Sequence, residues 1–312
     1  MTCPVPAYIL RVMCMKKYMP LAAVTAVAVL MLLRPQAAAG AVLDGLHLCA
    51  GTVIPSLFPF FTAVSLLMQL GLAESMQGVC GFVMRPLFRM RGICALPVLA
   101  GLMGGYPSGA RVTAGLYEQG RISRREAELL LGFCDNCGPA FLLGYVGAGI
   151  WGDTGMGAAL YMVHAAAAVL TGAVLCRISK DRGPVLPESR LPVKPVSFPQ
   201  ALTAAVSGSV SSMLNICAFV VLFQVLAALP PEPLPTPVMG VLEMVSGLSA
   251  LPPGGAGFVT AAAAAGWGGL SVHCQAMSLT APAGLSFRWH WIGKAMQAGV
   301  SVILAAAIWR ML

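Results

Sequence analysis

Apolar runs separated by short polar patches occupy residues 20–33, 53–72, 93–103, 133–151, 156–176, 200–229, 238–251, 257–272 and 292–310. A helix rising about 1.5 Å per residue needs about 20 apolar residues to cross roughly 30 Å of hydrocarbon. The runs ending at Met103 and Leu251 reach only about half way, which predicts two re-entrant hairpins. The run at 20–33 follows Arg11, Lys16 and Lys17 and stops at Arg34 and Pro35. It reads as a retained first span, with a signal-like segment as the alternative. Residues 36–49, interrupted by Asp44 and His47, and residues 76–91 read as helices lying at the interface or packed on the bundle. Residues 177–199, "RISKDRGPVLPESRLPVKPVSFP", form a long polar linker that splits a single membrane domain, 1–312, into halves at 36–176 and 200–312.

The two halves repeat an order of events. "TVIPSLFPFFTAVSLL", "LPVLAGLMGGYPSGAR" and "FCDNCGPAFLLGYVG" are followed, after the linker, by "SVSSMLNICAFVVLF", "GVLEMVSGLSALPPG" and "AGWGGLSVHCQAMSL". Interrupted apolar segments in corresponding positions point to a secondary transporter whose site lies where the repeats meet.

Composition agrees. Of 312 residues, 58% are hydrophobic and 10% charged, against about 25% charged in a soluble domain, so the chain is expected to be an all-α polytopic membrane protein. The net charge of +8 comes from Lys and Arg clustered near 11–17, 85–91 and 177–194, as retained loops require. No basic stripe interleaved with aromatics suggests nucleic acid. Ten cysteines lie mostly in apolar runs, where a thiol packs as a small hydrophobe. Cys134 and Cys137 match C-x-x-C, a weak metal or redox signal without a second pair. No cofactor is expected.

In "GLMGGYPSGARV", Gly104, Gly105, Pro107 and Gly109 forbid an undisturbed helix. Backbone groups freed in lipid must find protein, water or a ligand, so this stretch should be buried or line a cavity; a tight turn at the membrane surface is the alternative. A helix beginning near Ser108 would turn free amides toward that cavity, where an anion can bind. Gly120 can end that helix, and "SRRE" is a capping box from Ser123 to Glu126. The charges of Arg121, Arg124, Arg125, Glu126 and Glu128 read as a solvated face. In "CDNCGPAF", Asn136, Gly138 and Pro139 form a second break. Asp135 beside it is a functional candidate by default, or a cap for the helix starting at Pro139. Ser108, Arg111, Asp135 and Asn136 would converge if the two breaks meet.

Glu243 is the least solvated acid of the second half, with Ser246 and Gly247 one turn later, and is a proton or coupling-ion candidate. Ser271, His273 and Gln275 share a polar stripe if their segment is extended; His273 can carry a proton but reads more often as packing. An enzyme using Asp135, His273 or the cysteine pair, and a scaffold without transport, are weaker readings.

These motifs, with "VIPSLFPFF" and "GGLSVHCQ", resemble the YlbJ (SpoVV) family of sporulation integral membrane proteins, within the nucleoside-recognition Gate-domain membrane proteins. The resemblance runs over 46–308. It implies a fold related to concentrative nucleoside transporters, with paired hairpins and broken helices, and no enzyme. It implies movement of dipicolinic acid across the outer forespore membrane, with a nucleoside or other heterocycle as the alternative cargo. The residues it carries over are Gly105, Tyr106, Pro107, Ser108 and Gly109; Asn136, Gly138 and Pro139; and Glu243, Gly247, Ser271, His273 and Gln275. The second motif reads "NCGP", one residue short of N-x-x-G-P. Expected partners are the bilayer, a small planar dianion such as dipicolinate, a coupling proton or sodium ion, and a second copy of the chain.

Overall fold

The computed structural model describes residues 7–179 and 196–310, with side chains at 7–17, 56 and 72–77 excepted. The expected linker lies outside the described residues over 180–195, and the side chains of Arg11, Lys16 and Lys17 do so too. Among the described residues there are fourteen α-helices and no strand.

Helix α1 (Ala7–Leu33) ends at Arg34, and Pro35 opens α2 (Pro35–Leu48). Proline cannot continue the preceding helix, and the stretch Tyr18–Leu33 is bent 99° from Pro35–Val53. A π-helical stretch, Cys49–Val53, carries α2 into α3 (Ile54–Gln69) just before Pro55, whose missing amide would break a regular ladder there. Helix α4 (Leu72–Phe88) stops at Arg89, held in the left-handed region at φ 54°. A 3-10 turn, Gly92–Cys94, leads to α5 (Ala95–Gly104), and Gly78–Phe88 is bent 87° from Gly92–Gly104.

Helices α6 (Ser108–Glu118) and α7 (Arg124–Leu130) complete the motif-rich stretch, followed by a π-helical segment, Ala140–Ile150, and α8 (Thr154–Ile178). The second half contains α9 (Phe198–Ala228), α10 (Thr236–Leu242), α11 (Met244–Ser249), α12 (Gly255–Trp267), α13 (Gly269–Thr280) and α14 (Arg288–Trp309). Among the described residues, helices α8, α9 and α14 are each long and apolar enough to cross a bilayer, and the count is up to five if each bent pair is one span. The chain is an integral, multi-pass membrane protein.

Of the two expectations for residues 36–49, the helix takes the second and packs on the bundle along α9: a Cβ on Gly45 would lie 3.1 Å from Val221 Cα. Arg34 donates to the carbonyl of Leu229 (2.7 Å) at the C-terminal end of α9, where a cation is favoured. The helix from Ser108, the turn at Gly120 (φ 66°) and the capping box of Ser123 all form as the sequence predicts. The charged face does not. Glu126 is buried and takes a bidentate bond from Arg91, at 2.9 Å from Nε and 2.6 Å from Nη2. The Arg124–Glu128 pair does behave as a surface pair.

Candidate functional site

The site begins with two hairpins. Helices α5 and α6 turn back on one another through Gly105, Tyr106 and Pro107, with a cis peptide between Tyr106 and Pro107. Their legs touch where a Cβ on Gly101 would lie 3.5 Å from Gly109 Cα. Helices α10 and α11 turn back at Glu243, and a Cβ on Gly247 would stand 2.3 Å from Gly240 Cα. Each hairpin therefore closes on a pair of glycines with its tip between them.

Two interrupted helices receive these tips. The first break runs from Gly132 to Pro139, between α7 and the π-helical segment; the second is Gly268–Gly269, between α12 and α13. Gly268 and Gly269 have φ of 91° and 80°, a conformation closed to most residues. The first tip meets the first break main chain to main chain: a Cβ on Gly105 would sit 3.0 Å from the amide nitrogen of Gly138. The second tip meets the second break likewise, with a Cβ on Gly269 at 3.0 Å from the nitrogen of Met244. The two assemblies join through Tyr106, whose hydroxyl donates to the Ala265 carbonyl (3.3 Å), and through Cys137, whose sulfur lies 3.5 Å from that of Met244.

The two hairpin turns and two helix breaks free many backbone groups, which in a membrane require partners. Side chains supply most of them. Among the amides, Asp135 Oδ1 accepts from Ala110 (2.8 Å), His164 Nε2 from Cys137 (2.9 Å), and Glu243 from Val245 (3.0 Å) and Ser246 (2.7 Å). Among the carbonyls, Phe133 is met by Asn136 Nδ2 (2.9 Å), Asp135 by Lys294 Nζ, Leu102 by the Tyr161 hydroxyl (3.0 Å) and Val241 by Trp267 Nε1 (3.2 Å). Asp135 thus caps α6, not the segment after Pro139, and an internal carboxylate already fills the anion position expected at Ser108.

Of the sequence candidates, Gly105, Tyr106, Pro107, Gly109, Asp135, Asn136, Gly138 and Pro139 gather at the first tip and break. Asn136 Oδ1 accepts from Gln297 (2.8 Å). Ser108 and Arg111 lie apart from Asp135 and Asn136. They line a cavity of about 360 Å³ on the far side of α6, together with Gln69, Gln119, Arg121 and Ser212. Arg111 Nη1 there donates to Gly208 O (2.9 Å). Glu243 and Gln275 line a smaller cavity of about 50 Å³, with Tyr106, Gly138, Phe141 and Met244.

Glu243 is 1% exposed, and Ser246 supplies a further bond through its hydroxyl (2.7 Å), itself held by Gln224. Gly247 serves the hairpin closure. The segment of Ser271, His273 and Gln275 is helical, so the extended stripe does not form. Ser271 and Gln275 share one face, and His273 points among Trp267, His290 and Trp291. His290 Nδ1 donates to the Leu131 carbonyl (2.9 Å), since a carbonyl only accepts. His290 Nε2 therefore accepts from His273 Nδ1 (2.8 Å). Cys134 and Cys137 contact different elements, Thr113 and Met244, and no group of three metal-ligating side chains occurs among the described residues.

The sequence reading missed Lys294, Gln297, His164 and His290, all fully buried. His164, Lys294 and Gln297 interrupt apolar runs, and an ionisable side chain such as His164 or Lys294 in such a run is itself a site signal. Helix α14 brings Lys294 to the first break because Gly293 lies against the Gly132 carbonyl, 1.9 Å from where a Cβ would sit.

The profile of the Gate family, described by nucleoside recognition, matches residues 50–227. The chain is also 29% identical over 212 residues to the sporulation integral membrane protein YlbJ of Bacillus subtilis (strain 168), covering 61% of this chain. It spans about half (51%) of that relative's length. No solved structure matches. The first hairpin, the first break and the Arg111 cavity fall within the matched residues, and the chain belongs to the Gate nucleoside-recognition family of membrane proteins.

Proposed function

We propose that the protein is a secondary carrier for a small planar organic anion, moved by alternating access around the meeting point of the two hairpins. The observation that supports this most is the tip-to-break contact itself, made twice and in equivalent order in the two halves. A structural bundle has no need of two hairpins and two interrupted helices, whereas paired discontinuous segments around a cavity suit a solute pathway. The halves at 36–176 and 200–312 are proposed as repeats on the same ground.

The cavity beside α6 suits the cargo. Its volume of about 360 Å³ falls in the usual range for small-molecule sites, and Ser108, Arg111 and Arg121 supply hydroxyl and guanidinium groups that match carboxylates. By the resemblance to the YlbJ family, the cargo is dipicolinate and the membrane is the outer forespore membrane. The family description favours a second cargo class, nucleosides, for which the small cavity with Tyr106, Phe141 and Gln275 offers rings and an amide.

The test is efflux from liposomes carrying the purified protein and loaded with dipicolinate, with and without proton and sodium gradients. Protein-dependent efflux that unlabelled dipicolinate saturates and nucleosides leave unchanged supports the anion carrier. Saturable nucleoside flux alone supports the second class, and no flux of either removes the carrier reading.

A further inference from the structure

Lys294 is fully buried, and its three ammonium hydrogens have three oxygen acceptors from three parts of the fold. These are the main-chain carbonyl of Asp135 in the first break, the Tyr106 hydroxyl at the hairpin tip (3.2 Å) and Gln297 Oε1 on α14 (2.8 Å). All three oxygens are neutral. The Asp135 carboxylate makes no hydrogen bond to Nζ, though its charge lies near enough to attract the ammonium; its Oδ1 accepts from Ala110, and its Oδ2 has no hydrogen-bond partner among the described residues. The Tyr106 ring adds its face, with its centroid 5.1 Å from Nζ.

A cation held by carbonyl, amide and hydroxyl oxygens is held as a desolvated alkali ion is, by groups that stand in for its water shell. The Gly132–Gly293 approach fixes the depth at which the charge is delivered, and Gln297 passes the contact on to Asn136. We propose that the Lys294 ammonium is a tethered monovalent cation, filling an alkali-type oxygen site made by Tyr106, Asp135 and Gln297, so that hairpin tip and broken helix are joined without a dissolved ion. The site is separate from the Arg111 cavity. It stands whether or not the chain carries a solute, because its signature is cation-dependent stability.

The test uses the purified full chain in detergent, unfolded thermally in chlorides of sodium, potassium, ammonium, methylammonium and choline at matched ionic strength. Wild type is expected to unfold at the same temperature in all five. Lys294→Ala, which empties the site, should unfold several degrees lower in choline and recover in a saturable way with at least one of the small cations. Lys294→Met, which fills the same space without charge, should be destabilised without recovery. The assignment is overturned if Lys294→Ala is as stable as wild type, or if its loss is equal in choline and in every small cation. Equal recovery of Lys294→Met overturns it too, as does failure of Lys294→Ala to fold in any of the five salts.

Discussion

Asp135 accepts the Ala110 amide at 2.8 Å, so a carboxylate from the first break closes the N-terminus of the helix in the first hairpin. Glu243 closes the second hairpin in the same manner through Val245 and Ser246. Losing such a cap costs about 0.5–2 kcal/mol. Asp135→Ala should therefore lower the unfolding temperature in detergent, whereas Asp135→Asn, which can still accept from Ala110, should retain most of it. Equal losses in both variants would mean that charge, and not the hydrogen bond, is what α6 requires.

Gly109 and Gly115 lie on the same helix in opposite surroundings. A Cβ on Gly109 would meet the Cys134 carbonyl oxygen at 2.3 Å, while nothing lies within 4 Å of one on Gly115. Gly115→Ala is expected to stabilise by about 0.5–1 kcal/mol through helix propensity. Gly109→Ala should destabilise well beyond that and abolish dipicolinate efflux. Comparable stabilities for the two would refute the close main-chain contact between α6 and the first break.

Arg91 and Glu126 form a buried bidentate pair, and removing one partner of such a pair costs about 3–5 kcal/mol. Arg91→Ala should approach that figure, with Arg91→Ala/Glu126→Gln less destabilised than the sum of the single changes. Burial pushes the Glu126 carboxyl up, but hydrogen bonds from Arg91 and Ser123 outweigh it and hold the group below the ordinary range. A depressed carboxyl contributes stability that is complete above its unfolded value of about 4.3 and is lost as pH falls through the lower folded value. Acid unfolding of wild type should therefore be steeper below about pH 4.3 than that of Glu126→Gln. Parallel profiles would remove Glu126 from the acid response.

Arg111 faces the larger cavity and is held there by the Gly208 carbonyl. Arg111→Gln should slow dianion efflux by about tenfold to a hundredfold, the loss of one charged hydrogen-bonding partner, with folding unchanged. Unaltered efflux would move the anion away from this cavity.

Local chemistry made parts of this arrangement legible. Pro107 with its flanking glycines announced the first break, and the Ser123 to Glu126 spacing announced its capping box. The lengths of the short apolar runs announced the hairpins. What the sequence left open was where freed backbone groups find partners, because those partners come from far along the chain. Ala110 bonds a residue 25 positions away, and the Asp135 carbonyl one 159 positions away. Arg111 and Asp135 looked like neighbours because both flank breaks, yet the turn of α6 sends Arg111 to the opposite side. Glu126 looked solvated because its neighbours in sequence are charged, while Arg91, 35 positions earlier, draws it inward.

The bare contacts at Gly101, Gly105, Gly247 and Gly269 also limit how this chain can vary. A Cβ at Gly101 or Gly247 strikes the backbone of the facing segment, and one at Gly105 or Gly269 is both crowded at 3.0 Å and strained by a positive φ, so no interruption is readily smoothed into a straight helix by itself. The irregularities are interlocked, and sequence drift at a tip is permitted only where the opposing strand of main chain gives way in step.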